Sequence, residues 1–334
     1  MKAKKLLPVL ATLLAASTFC LTACTSNSKT IFGNYWDKNY DPASPTENLN
    51  ETLTYDVTFT ESSSSLLDYG VTYGGEDKKG ECVTTLRFDG NGRYVYTVSL
   101  SIEVTFDIDK DFTTTDDQKT ETYSVSSEAV FLEAKSGLKP VSSKKTIVSP
   151  TPKYVSVSNV ENCYQLHSYH TETTYNNDDS AVSKIFKDYD AANPAAEPSE
   201  TKNFTATSED YNYLDNEQLL AAIRAVPSST SSTTVIAYNP FDGANKIKLS
   251  FENEDAEPFT FSMNGGETTT RNIPYRTVSI VLSSDNSGGT QTAKIARTED
   301  STNNVYRNVL LSLETPLGYN IGTLTYTLTS ATYA

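Results

Sequence analysis

The sequence predicts a mainly β protein of the α+β kind, built on one large curved antiparallel sheet with two short helices packed on one face. Three observations carry this. Long runs alternate apolar and polar residues with a period of two, the signature of a strand that buries one face. Clusters of Gly, Asn and Asp punctuate the runs where hairpins must turn. Tyr occurs 21 times against a single Trp, and Tyr together with Thr favours wide antiparallel sheets with one face partly wet.

The elements follow in chain order. Leu53, Tyr55, Val57 and Phe59 alternate with Thr54, Asp56, Thr58 and Thr60 to make the first strand. The longest case runs Tyr94, Tyr96, Val98, Leu100, Ile102, Val104, Phe106, Ile108. Asp89-Gly90-Asn91-Gly92 precedes it as a turn, which makes residues 86–88 the other arm of a hairpin. Fifteen residues at about 3.3 Å each span roughly 50 Å, so this strand must curve, carry bulges or belong to a large sheet. Further strands are expected at 120–125, 129–132, 146–148, 154–157 and 164–175. A second set follows at 233–238, 246–251, 259–263, 277–282, 292–297, 305–313 and 322–330. Asn264-Gly265-Gly266 and the Asp/Asn/Gly run at 285–289 separate members of this set.

Two helices are expected between the sets. Ser180 caps the first, with Val182, Ile185, Phe186 and Tyr189 at helical spacing. Asp215 caps the second, with Gln218 at the capping-box position and Leu214 and Leu219 as the hydrophobic staple. Leu219, Leu220, Ile223 and Val226 form its apolar stripe, and Pro227 stops it. Residues 191–208, rich in Ala, Pro, Glu, Ser and Thr, read as an exposed excursion.

The N-terminus supplies an address. A basic start (Lys2, Lys4, Lys5) leads into an apolar run at 6–16, too short to span a bilayer comfortably, and then into Leu21-Thr22-Ala23-Cys24. These four residues resemble the lipobox of bacterial lipoproteins. The resemblance implies a signal peptide at 1–23, acylation of Cys24, and a protein held extracytoplasmically on a membrane of the cell envelope. Several acyl chains on one residue give firm attachment, since each buried methylene contributes about 0.8 kcal/mol. Thr25, where sorted lipoproteins carry Asp, leans toward an outer membrane if the organism has two. Residues 24–50 read as anchor and flexible spacer, although Tyr35, Trp36 and Tyr40 are of a kind that packs back onto a domain. Residues 51–334 then form a single domain.

Charge narrows the partners. The formal net charge is −15, and the loss of three lysines with residues 1–23 takes it to −18. Such a surface repels nucleic acid, so none is expected as a partner. Cys82 and Cys163 remain in the processed chain. An oxidising compartment permits a disulfide between them, and two buried thiols would leave the same trace.

Little in the chain carries chemistry. His167 and His170 stand three apart in a segment that reads as a strand, where they face opposite sides and do not converge on a metal. Asp107, Asp109, Asp111, Asp116 and Asp117 form an acidic run that lacks the sharp Gly of a calcium loop. No nucleophile elbow, phosphate-cradling Gly loop or zinc-protease motif is present. No metal and no cofactor are expected. Paired carboxylates for glycoside hydrolysis are defined by space and not spacing, so among 42 acidic residues none stands out.

The segment Leu219-Leu220-x-x-Ile223-Arg224-x-x-Pro227 after its Asp cap, with Leu310-Leu311-Ser312, Pro316-Leu317-Gly318 and a final strand at 326–330, resembles envelope proteins related to the LolA-like periplasmic lipoprotein carriers. That resemblance implies a half-open barrel, an antiparallel sheet curled over its helices. An apolar or amphiphilic ligand, a lipid or lipoprotein, would fill the concave face against Leu219, Leu220, Ile223 and Val226, with Tyr94 and Tyr96 on the facing sheet. Arg224 would reach the rim to meet a headgroup or carboxylate. The role expected is noncatalytic binding. A surface module recognising protein or glycan, and a hydrolase acting through paired carboxylates, are the alternatives.

Overall fold

The computed structural model describes residues 29–38, 49–62, 70–74, 79–108, 116–152, 163–178, 180–206, 210–282, 290–297, 304–317 and 321–333. The signal segment, Cys24 and the expected strand at 154–157 lie outside them.

Sixteen strands are seen among the described residues. The first set is β1 (Asn50–Glu61), β2 (Val71–Tyr73), β3 (Gly80–Phe88), β4 (Arg93–Asp107), β5 (Gln118–Leu132), β6 (Pro140–Pro152), β7 (Tyr164–Tyr175), β8 (Ser180–Lys187) and β9 (Glu200–Thr205). The second set is β10 (Asn212–Asp215), β11 (Ser232–Asn239), β12 (Gly243–Met263), β13 (Thr269–Leu282), β14 (Gln291–Ala296), β15 (Leu310–Pro316) and β16 (Gly322–Tyr333), with the helix α1 (Leu219–Arg224) between β10 and β11. They form one sheet in the order β10 to β16, then β1, β3 and on to β9, with β2 on β4. All pairings but two are antiparallel: β10 runs parallel to β11, and the end of β12 meets β16 in parallel at Ser262–Ser330 and Met263–Ala331. That last contact closes β12 to β16 into a ring of five strands, while the whole sheet curls into a half-open barrel.

Period-two alternation becomes inside and outside. In β4, Tyr94, Tyr96, Leu100, Ile102, Val104 and Phe106 are buried, and the strand pairs with β5 over its full length, from Arg93–Leu132 to Asp107–Gln118. The expected strands at 246–251 and 259–263 are one element, β12, whose alternation is broken by a bulge between Glu254 and Glu257. Bulges let so long a strand bend around a core. The two sets meet where β1 pairs with β16, from Glu51–Tyr333 to Glu61–Gly322. At Gly322 a Cβ would run into the Thr60 carbonyl and the Phe59 ring, so the close approach of these strands requires glycine.

One expected helix is corrected to a strand, and two segments are more structured than the sequence alone suggests. The segment opened by Ser180 is the strand β8, with Ala181, Ser183 and Ile185 buried and Val182 and Lys184 exposed. Its apolar residues fit either period, and pairing with β7 and β9 on its two sides decides for extension. The excursion at 191–208 contains β9, the edge strand at the end of the sheet. Part of the spacer is also built in: Phe32 and Trp36 are buried, and the Trp36 ring meets Tyr94 edge-on at 4.9 Å.

The second helix lies where its sequence places it. Asp215 is extended and its Oδ1 accepts from the Glu217 N–H at 2.8 Å, opening a 3₁₀ turn over Asn216–Gln218 that continues into α1. Gln218 does not close a capping box; its Nε2 donates to the Leu138 carbonyl at 2.8 Å, because the buried turn after β5 needs a donor there.

Candidate binding cleft at the sheet seam

The ladder has two ends, β9 and β10, and among the described residues they do not pair with one another. Side chains bridge them instead. Ser183 Oγ and Tyr238 OH lie 3.0 Å apart, and Lys202 Nζ donates to the Phe241 carbonyl at 3.0 Å. The Phe204 ring stacks on Tyr238 with centroids 4.7 Å apart and reaches Tyr213 at 6.0 Å, while Tyr175 meets Tyr238 edge-on at 6.1 Å.

Asp215 ties the floor together. Its Oδ2 accepts from Ser143 Oγ of β6 at 2.5 Å and from Tyr175 OH of β7 at 2.6 Å, and Lys145 pairs with Glu217 at 2.9 Å. Burial pushes the Asp215 carboxyl up to about 6, Glu217 adds to the rise, and the bonds from Ser143, Tyr175 and the Glu217 N–H oppose it. Burial likewise raises Tyr175, so its hydroxyl stays a donor.

Beside this network, which it shares through Tyr175, the seam opens into a cleft of about 620 Å³. Half-buried rings of Tyr175, Phe204, Tyr211 and Tyr213 make one wall, with Lys246 over the Tyr211 ring at 4.7 Å. Lys29, Arg93, Lys135 and Lys139 supply its charge, and no Asp or Glu is among its described lining residues. Lys135 also pairs with Glu133 at 2.5 Å. The turn at 134–139 and the N-terminal segment Lys29–Phe32 form the opposite side. That segment is held by the Thr30 N–H on Asn212 Oδ1 at 2.7 Å, by Thr30 Oγ1 against Thr233 Oγ1 at 2.5 Å, and by the Gly33 N–H on the Ala225 carbonyl at 2.8 Å.

The residues singled out from sequence lie elsewhere. Leu219, Ile223, Val226, Tyr94 and Tyr96 are buried in the core, Leu220 is half-buried against it, and none of them lines the cleft. Arg224 does not reach the rim. It is 2 % exposed, its guanidinium grips Glu51 bidentately at 2.6 and 2.8 Å, and it donates to the carbonyls of Asn308 at 2.8 Å and Arg307 at 3.1 Å. A buried carboxylate on β1 draws it inward, a partner 173 positions away that no local pattern announces. Cys82 and Cys163 are both buried and form no disulfide; burial pushes the Cys82 thiol up to about 12.

His170 accepts or donates at Nδ1 to Thr146 Oγ1 at 2.9 Å and stacks on Tyr189 at 4.7 Å. Among the described residues no group of three His, Cys, Asp or Glu side chains converges to hold a metal. Asp107 is buried and accepts from Gln118 Nε2 at 3.1 Å; Asp109 and Asp111 lie outside the described residues.

No protein-family model matches the chain, and no curated protein matches it. A solved structure to which it is similar is the crystal structure of a β-barrel-like protein of domain of unknown function DUF1849 from Brucella abortus. The two are 11 % identical, and the similarity covers 86 % of this chain and 99 % of the other with a TM-score of 0.48.

The cleft residues left faint marks in the sequence. Tyr211 and Tyr213 stand just before the Asp215 cap, two aromatic rings beside a helix start. Arg93, Lys135, Lys139 and Lys29 come from three separate stretches, and nothing local groups them.

Proposed function

We propose that this chain is a lipid-anchored, extracytoplasmic binding protein of noncatalytic role, whose ligand is amphiphilic and acidic. The cleft at the seam carries the reading. Its volume of about 620 Å³ falls within the roughly 300–1,000 Å³ usual for small-molecule sites. An apolar portion of the ligand lies on Phe204, Tyr211 and Tyr213, and its acidic group lies among Arg93, Lys135 and Lys139. A carboxylate, phosphate or phosphodiester headgroup meets this requirement. Hydrolysis by paired carboxylates needs two of them flanking a cleft at about 5–10 Å, and among the described residues neither Asp nor Glu lines this cleft.

Native mass spectrometry of the protein after mild extraction tests the reading. The expected result is copurifying lipid, or uptake of oleate or phosphatidylglycerol by the stripped protein, with affinity at least tenfold weaker in a Phe204→Ala, Tyr213→Ala variant. A clean mass with no uptake of either probe by the wild type overturns it.

One observation favours the glycan-module reading as a second choice. The outer face of β7 and β8 carries the ring cluster of His170, Phe186 and Tyr189, a platform on which a sugar ring can stack, and Leu166 and Val182 are exposed farther along the same two strands. Glycan-array binding abolished by Tyr189→Ala would support it.

A further inference from the structure

We infer that the cleft mouth faces the membrane to which the chain is tethered, and that its cations dock on an anionic bilayer surface; this rests on the anchor at Cys24 in the reading above. The argument begins with chain length. The N-terminal segment is fixed to the barrel from Thr30 onward by Asn212, Thr233 and the Ala225 carbonyl. Only five Cα steps separate Cys24 from Lys29, and at most about 3.6 Å per step they span no more than about 18 Å. Lys29 itself lines the cleft. An acylated Cys24 therefore keeps this side of the barrel close to the lipid headgroups, whatever path the intervening residues take.

Charge makes the same choice of side. A processed chain at −18 is repelled by an anionic leaflet over most of its surface. Lys29 and Arg93 lie on the cleft side with no carboxylate among its described lining residues, Lys135 beside them being paired with Glu133 at 2.5 Å, so this face approaches while others are pushed away. Screening confines such forces to about 8 Å at physiological ionic strength, so they act once Lys29, on a tether of no more than about 18 Å, approaches the headgroups. The cleft then opens toward the source of an acidic amphiphile, which can enter from the bilayer without crossing water.

The barrel provides its own ruler. Arg93 and the turn at 134–139 mark the cleft end of β4 and β5, and Asp107 and Gln118 mark the opposite end. Fourteen residue steps at about 3.3 Å make roughly 46 Å along the strand, or about 35 Å along the axis at a tilt near 40°. Donor dyes on Ser136→Cys and on Asp116→Cys therefore report the near and far ends. Buried Cys82 and Cys163 should react slowly.

The full acylated chain is reconstituted into vesicles of phosphatidylcholine with about a third phosphatidylglycerol, carrying an acceptor on a lipid headgroup. Energy transfer is expected to be several-fold more efficient from position 136 than from 116. Lys29→Glu with Arg93→Glu, or omission of phosphatidylglycerol, should at least halve that ratio. Equal transfer from the two positions, transfer favouring 116, or a ratio indifferent to both charge changes overturns the proposal. Anchoring is read separately: a Cys24→Ala chain should leave the vesicle fraction, and if it stays bound as firmly as the wild type, the anchor and the distance limit built on it fail together. Loss of lipid uptake with orientation intact would instead remove the ligand reading alone.

Discussion

Glu51→Gln strips the charge from the carboxylate that grips a guanidinium itself 2 % exposed. Arg224 spends its donors on both Glu51 oxygens and on the carbonyls of Asn308 and Arg307, so it joins α1, β1 and the turn before β15 at one buried point. Breaking a buried pair from one side leaves an uncompensated charge and costs about 3–5 kcal/mol. Glu51→Gln should fall in that range. Arg224→Met should cost at least as much, because it also orphans two carbonyls at about 1–3 kcal/mol each. The double variant Glu51→Gln, Arg224→Met removes both charges together. It should therefore lose only about the 2–6 kcal/mol of the two orphaned carbonyls, several kcal/mol less than the sum of the single losses. Urea unfolding followed by tyrosine fluorescence, with linear extrapolation, measures all three. A Glu51→Gln loss below about 1 kcal/mol, or strict additivity of the singles, would refute the claim that this pair is a desolvated clamp.

Asp215 should give an inverted pH response. Its carboxyl titrates near 6 in the fold against an ordinary 3.8, so the folded state binds this proton more tightly than the unfolded chain. The cost of its buried charge is fully present above pH 6 and is relieved as pH falls toward 4, by at most about 3 kcal/mol. Wild type should thus gain on Asp215→Asn between pH 7 and pH 4.5; parallel stability curves for the two would contradict the assignment. Cys82, with its thiol pushed up to about 12, should react with iodoacetamide at pH 8 orders of magnitude more slowly than a free thiol, as peptide mapping by mass spectrometry would show. Gly322→Ala places a Cβ against the Thr60 carbonyl and the Phe59 ring. It should cost roughly 1–3 kcal/mol by overpacking, and a thermal midpoint unchanged from wild type would show that β1 and β16 can part at no cost.

Strands were legible wherever one face is dry and the other wet. Residues 164–175 coincide with β7, and β4 runs from Arg93 to Asp107 where alternation at 94–108 placed it. The Asp215 cap was equally plain, since a cap is read from residues within one turn of each other. β8 misled because Val182, Ile185 and Phe186 suit a helical face as well as a strand. The short β2 and β10 carry too few residues to show a period at all.

The sequence by itself determined which residues avoid water along each extended segment, because alternation is a property of neighbours. Which segments become neighbours across the sheet was decided only by tertiary structure. β1 finds β16 some 270 positions away, Arg224 finds Glu51, and the four cations of the cleft assemble from three stretches around a seam that closes without backbone hydrogen bonds. The physical reason is that these contacts depend on sheet curvature and on where the ladder ends. Both are set by the summed twist and bulges of many strands, and no window of sequence contains that sum.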